Sequence, residues 1–167
     1  MCADAPLLPT AAPDGRTPRA AGPDEAATVA ALLHDFNREF DTPTPGVEVL
    51  TARLRERLAG DAMHALLIGE PAVGVALVSL RPSAWYDGPV GLLDELYVRP
   101  DARNHGLGHA LLETACALVR GHGGEALEIN VDGEDVDARR FYERHGFTNT
   151  EPGQDEPMLF YYREFAG

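Results

Sequence analysis

The chain has 167 residues, 44% hydrophobic and 25% charged, with a formal charge of −13; the length suits one domain with a buried core. No apolar run reaches the ~18 residues of a membrane-spanning helix, and so negative a charge disfavours nonspecific nucleic-acid binding, which needs cations to displace counterions. It suits a cationic substrate or partner, or simply a surface kept acidic for solubility. All 14 basic residues are arginine, so the chain has no lysine to be modified. The opening "MCADAPLLPTAAPDGRTPRAAGP" lacks the basic start and apolar centre of a signal peptide, so the expected location is cytoplasmic. Its Pro, Ala and Gly content predicts a loose tail over residues 1–17 and a single folded domain over 18–167. Cys2 lies in that tail and Cys116 in an apolar helical pattern. With no C-x-x-C pair, neither a zinc site nor a disulfide framework is expected, and Cys116 reads as a buried, inert thiol.

In chain order, "GPDEAATVAALLHDFNREF" predicts a helix: Pro23 suits an early position, and Val29, Leu32, Leu33, Phe36 and Phe40 recur at helical spacing. A second helix follows in "TPTPGVEVLTARLRERLAG", with Leu50, Leu54 and Leu58 four apart and Gly60 as its stop. Three strands are expected next, "AMHALLIG", "VGVALVSL" and "GLLDELYV", the first two joined through "EPA" as a hairpin. After Val98 comes the polar turn "RPDARNHGLG" and the helix "HALLETACALVRGHGG", with Leu111, Leu112, Ala115, Leu118 and Val119 on its apolar face. "EALEINV" predicts a strand, "DVDARRFYERHGF" a short helix stopped by Gly146, and "EPMLFYYREF" a closing strand. The pattern is that of a mixed α/β domain.

The glycines at Gly106 and Gly108 open a helix directly after a strand and a short turn. A helix N-terminus leaves amide N–H groups unpaired and its dipole favours anions, while glycine lets a bulky phosphate come close. A P-loop is excluded because its lysine is missing. The dinucleotide fingerprint fails because Leu111 stands where its third glycine belongs and seven residues separate Val98 from Gly106. What remains is a diphosphate held by an R-x-x-G-x-G turn, or a tight loop without a ligand.

"LYVRPDARNHGLGHALL" resembles the acetyl-CoA-binding motif of the GNAT superfamily of N-acetyltransferases, with Arg103, Gly106 and Gly108 at its defined positions. Downstream, "DVDARRFYERHGF" is similar to the family's N-x-x-A-x-x-[LF]-Y-x-x-x-G-F through Ala138, Phe141, Tyr142, Gly146 and Phe147, with Asp135 where many members carry asparagine. The resemblance runs from about Ala20 to the C-terminus. It implies a central, mostly antiparallel twisted sheet flanked by helices and splayed at the acetyl-CoA site. It also implies acetyl transfer from acetyl-CoA to a primary amine by direct attack in a ternary complex.

On that resemblance the diphosphate would lie on the N–H groups of Asn104, His105, Gly106, Leu107, Gly108 and His109, with Arg103 near the phosphates and Arg99 as a further charge. Leu96, Tyr97 and Val98 would pair with the pantetheine arm, the Val98 N–H pointing at the thioester oxygen, where a preset donor is worth ~3 kcal/mol in the transition state. Asp135 and Ala138 would complete the cofactor site. Tyr142 would donate to the leaving sulfur, since a phenol of pKa ~10 is protonated where a thiolate of pKa ~8.5 departs. A lysine-like amine of pKa ~10.4 loses its proton at pH 7 at a cost of ~4.6 kcal/mol, so a base is needed. Asp94 and Glu95 adjoin the acetyl-binding strand. Since successive strand side chains alternate between faces, only one is expected to face the acceptor. The resemblance favours Glu95, because related transferases often carry an acid three residues before the Val98 position, acting directly or through water; the alternative is a salt-bridged or solvated strand carboxylate. Asp132, Glu134, Asp135 and Asp137 form an acidic loop that would suit a cationic acceptor or be a solvated turn. His105 and His109 stand i, i+4, but no third metal ligand is apparent and no metal is expected.

The expected acceptor is a small, cationic amine. "FNREF" and Glu95 carry some likeness to aminoglycoside 3-N-acetyltransferases; polyamines, other small amines and protein N-termini stay open. Dimers are common in the family, so a homodimer is expected, with neither nucleic acid nor membrane as partner. The rival reading is a non-catalytic acyl-CoA-binding regulatory module, which retention of Tyr142 disfavours.

Overall fold

The computed structural model describes residues 16–165. The expected tail therefore lies outside the described residues, except for Arg16 and Thr17, both exposed. The chain divides into two compact units, the first ending at Ile129 and the second beginning at Asn130.

The first unit holds β1 (Arg19–Ala21), α1 (Ala26–Glu39), α2 (Val47–Arg57), β2 (Met63–Gly69), β3 (Ala72–Arg81), β4 (Val90–Val98), α3 (Leu107–Gly121) and β5 (Ala126–Ile129). One sheet runs in the order β1-β2-β3-β4-β5. Its first three junctions are antiparallel and the last, β4 with β5, is parallel. A parallel neighbour needs a crossover, and α3 supplies it. β1, which the sequence pattern did not reveal, is three residues long and too short to show a period; it exists because Arg19, Ala20 and Ala21 pair with Leu67, Leu66 and Ala65.

Strand alternation divides the core between the two faces of the sheet. On one face Ala65, Leu67, Val75, Leu77 and Tyr97 pack in a cluster with Val29, Leu32 and Leu33 of α1 and with Leu54 and Leu58. On the other, Leu66, Ile68, Ala76 and Val78 are buried, as are Leu111, Leu112, Ala115, Leu118 and Val119 of α3. Each fully buried leucine or valine contributes about 1.5–3 kcal/mol of burial free energy. The approach of α3 to the sheet is close at Gly91, where a Cβ would stand 2.5 Å from Val119 Cγ2 and 3.0 Å from Leu127 Cδ1.

The second unit contains α4 (Val136–Arg144) and an isolated bridge between Thr150 and Pro157. The strand expected over residues 156–165 does not form: the segment has no regular structure, and Met158, Leu159, Phe160, Tyr161, Tyr162 and Phe165 are all exposed. Its composition suits a strand, but a strand is held by a ladder of partners, and beyond Pro157 no ladder is formed.

Candidate active site

β4 pairs with β5 only from Val90–Ala126 to Leu93–Ile129. Beyond Leu93 it continues to Val98 with β3 as its partner strand, so one edge of Asp94 through Val98 carries no strand pairing. The Arg99 N–H is turned to the other side, where it donates to the Val73 carbonyl at 2.9 Å. Backbone alternation therefore aims the Leu96 and Val98 N–H groups at the unpaired edge. The sheet opens there because the parallel ladder ends, and the opening exposes a row of donors.

Asp94 departs from the expected alternation. Leu77 pairs with Glu95 and Val78 with Leu93, which leaves Asp94 as the extra residue of a β-bulge. Glu95 lies opposite Leu77, on the face covered by α1 and α2. Asp94 reaches the same face, where its carboxylate accepts a hydrogen bond from the Ser79 hydroxyl. The expectation that only one of the two acids could face that side is corrected: the bulge cancels one step of alternation. Burial pushes the Glu95 carboxyl up to about 7, and the neighbouring Asp94 charge pushes the same way. Burial also raises Asp94, opposed by its bond from Ser79. Neither Ser79 nor the bulge was visible in the linear pattern, since strand pairing alone brings Ser79 to Asp94.

Tyr97, 4% exposed, stacks on Phe36 of α1 with ring centroids 5.2 Å apart. Burial raises its phenol, helped by the Glu39 carboxylate. Beyond β4, a short 3-10 turn at Pro100–Ala102 leads into the glycine turn. Asn104 and Gly106 both take left-handed backbone, at φ 64° and 80°. Asparagine tolerates that region and glycine enters it freely. Gly106 is the N-cap of α3, and a Cβ there would meet nothing within 4 Å. The first intrahelical bond runs from Ala110 N–H to the Gly106 carbonyl, at 3.0 Å. The amides of Leu107 and Gly108 therefore have no carbonyl within the helix to pair with. These amides at the head of a 15-residue helix, with open space at Gly106, form a cradle that fits a diphosphate. His105 and His109 are exposed beside it, His105 with its Nδ1 3.3 Å from the Ala102 carbonyl. No group of three or more His, Cys, Asp and Glu able to hold a metal occurs among the described residues.

The arginines of this turn face α1. Arg103 donates through Nε to the Val98 carbonyl at 2.8 Å, pairs with Glu39 at 2.8 Å, and lies 5.7 Å from the centre of the Tyr97 ring. Arg99 pairs with Asp35 at 2.9 Å. Asp35 and Glu39 are one helical turn apart, as Arg99 and Arg103 are four apart along the turn, so two parallel ion pairs tie α1 to the cradle. The Arg103 guanidinium expected beside phosphates is thus engaged by protein groups. The "FNREF" segment has internal roles as well: Phe36 stacks on Tyr97, Asn37 donates to the Pro43 carbonyl at 3.0 Å, and Glu39 holds Arg103.

In the second unit Asp135 caps α4, its carboxylate accepting from the Ala138 N–H at 2.9 Å. Both expected cofactor residues are therefore occupied with each other at the helix start. Tyr142 is half-buried, and its ring meets Phe141 and Phe147 edge-on at centroid distances of 5.2 and 5.8 Å. Away from these residues, the Cys116 thiol is half-buried and pushed up by burial, as fits an unreactive side chain.

The acetyltransferase (GNAT) family profile matches residues 29–147. The chain belongs to that family. Among relatives, a mycothiol acetyltransferase of Beutenbergia cavernae is 33% identical over 87% of this chain, which spans about half (49%) of that protein's length. An aminoglycoside N(6')-acetyltransferase type 1 of Stenotrophomonas maltophilia is 33% identical over 81% of this chain and 88% of its own. Among solved structures, a protein of Arthrobacter sp. FB24, named only provisionally as an acetyltransferase, is 62% identical. It superposes with a TM-score of 0.85 over 89% of this chain and 96% of its own. The open, mostly antiparallel five-strand sheet flanked by helices is thus the GNAT acetyltransferase architecture, and GNAT acetyltransferases use acetyl-CoA. Among the described residues no helix is long and apolar enough to cross a membrane.

Proposed function

We propose that this GNAT chain transfers an acetyl group from acetyl-CoA to a primary amine of a small, cationic acceptor, by direct attack within a ternary complex. The observation that carries the reading is the unpaired edge of β4 from Asp94 to Val98, a row of amide donors with the Glu95 carboxyl, pushed up to about 7, at one end and the turn into the head of α3 after the other.

Bound acetyl-CoA supplies an acetyl group already activated as a thioester. The amides at the start of α3 would hold its diphosphate, and Leu96 and Val98 would pair with its arm as a neighbouring strand does. The Val98 N–H would donate to the carbonyl oxygen as it gains charge, worth about 3 kcal/mol in the transition state. Arg103 would steady this arrangement by holding the Val98 carbonyl and tying the turn to α1. Glu95, with a pKa of about 7, is matched to removing a proton from the acceptor ammonium at neutral pH. Tyr142 would return a proton to the departing sulfur. An overall charge of −13 favours a cationic acceptor over an anionic one, and the similarity to an aminoglycoside acetyltransferase points the same way.

The test is release of free CoA with a panel of aminoglycosides, polyamines, amino acids and peptides. Turnover on one or more cationic small amines is expected. Binding of acetyl-CoA with no turnover on any amine would replace this reading with a non-catalytic acyl-CoA-binding module.

A further inference from the structure

The β4 bulge puts two carboxylates on one face, yet only one of them has a fixed partner. Asp94 is exposed but held by the Ser79 hydroxyl of β3, while Glu95, opposite Leu77, is more deeply set. Ser79 and Leu77 lie two apart on β3, so they share a face. The bond from Ser79 therefore spans the bulge at the point where the register slips, and it draws Asp94 to the side on which Glu95 stands. On α1, Asp35 and Glu39 are each paired to an arginine, and Leu54 of α2 and Leu58 just beyond it pack on this face. Among the described residues, it is the Asp94 charge that adds to burial in raising the Glu95 carboxyl.

We infer that Asp94, anchored by Ser79, is a positioning residue for Glu95: it holds the bulge that aims the Glu95 carboxyl and supplies the adjacent negative charge that keeps it a good proton acceptor. The inference rests on the reading of Glu95 as the base, but its physical content, a coupled pair of carboxylates set by a hydroxyl latch, can be measured without turnover. Two like charges close together cannot both ionise freely, so removing one eases ionisation of the other.

The experiment follows the Glu95 carboxyl carbon by NMR titration in the wild type and in Asp94→Asn, Ser79→Ala and Ser79→Thr, alongside pH–rate profiles and acetyl-CoA affinities of the same proteins. In Asp94→Asn the Glu95 midpoint is expected to fall by about half a pH unit or more, the size expected for a unit charge a few ångströms away in a well-solvated setting. The acid limb of the rate profile is expected to move with it. Ser79→Ala should lower kcat several-fold with KM and acetyl-CoA affinity unchanged, and Ser79→Thr, which keeps the hydroxyl, should restore it. A Glu95 midpoint that stays at its wild-type value in both Asp94→Asn and Ser79→Ala overturns the inference. If the midpoint moves but Glu95→Gln keeps wild-type turnover and profile, the latch stands and it is the assignment of Glu95 as base that falls.

Discussion

At the scale of single residues, the distinctive group is the Glu95 carboxyl, pushed up to about 7. Glu95 owes this first to burial and second to Asp94. Two consequences follow with definite sign. As a base, Glu95 must be ionised, so kcat/KM should rise with pH through about 7; Glu95→Gln should lower turnover by about 10²-fold or more and erase that limb. For stability the sign is opposite. Glu95's folded pKa lies above its ordinary value of 4.5, so its contribution is fully present below 4.5 and is lost as pH rises through about 7. Glu95→Gln, which cannot ionise, should therefore melt higher than the wild type at pH 8, with the gap shrinking towards pH 4; a gap independent of pH would contradict the shift. Tyr142→Phe should reduce kcat by about 10-fold or more with acetyl-CoA affinity little changed, in a coupled assay beside calorimetric titration. The motif made Tyr142 legible as a residue of interest. Asp135 shows the limit of such legibility: one side chain can match a cofactor motif and also cap a helix, as its bond from Ala138 does.

At the scale of elements, the important junction is β4 to α3. The helix was readable from Leu111, Leu112, Ala115, Leu118 and Val119, all of which are buried, and its head from Gly106, which takes the left-handed backbone there. Gly106→Glu should abolish measurable acetyl-CoA binding by calorimetry, because a carboxylate would stand where an anion is to be held. Space at the position is open and the backbone strain is about 1–2 kcal/mol, so the variant should still fold, with a somewhat lower melting temperature. Acetyl-CoA binding at wild-type affinity would remove the cradle. The bulge in β4 was not readable, because strand propensity is the same with or without an extra residue and only the register with β3 reveals it. The ion pairs of Arg99 with Asp35 and Arg103 with Glu39 were equally hidden, the partners lying 64 residues apart in each case.

At the scale of the whole molecule, the net charge of −13 acts on anything that approaches. Added salt screens charges beyond about 8 Å at physiological ionic strength. For an active polycationic amine, KM should rise between about 50 and 300 mM salt, whereas a neutral amine of similar size should show little change; equal response would separate acceptor choice from the acidic surface. The order of helices and main strands, the glycine turn at the head of α3 and the family likeness were all determined by the sequence itself. They rest on local preferences, spacing and hydrophobic period, which neighbours along the chain carry. Tertiary structure alone decided that β1 pairs with β2, that the segment after Pro157 forms no ladder, and that Asp94 and Glu95 share one face. It also decided that the arginines of the turn belong to α1. Each of these depends on which distant backbone supplies a partner, and hydrogen-bond register and burial arise only when the chain has closed on itself.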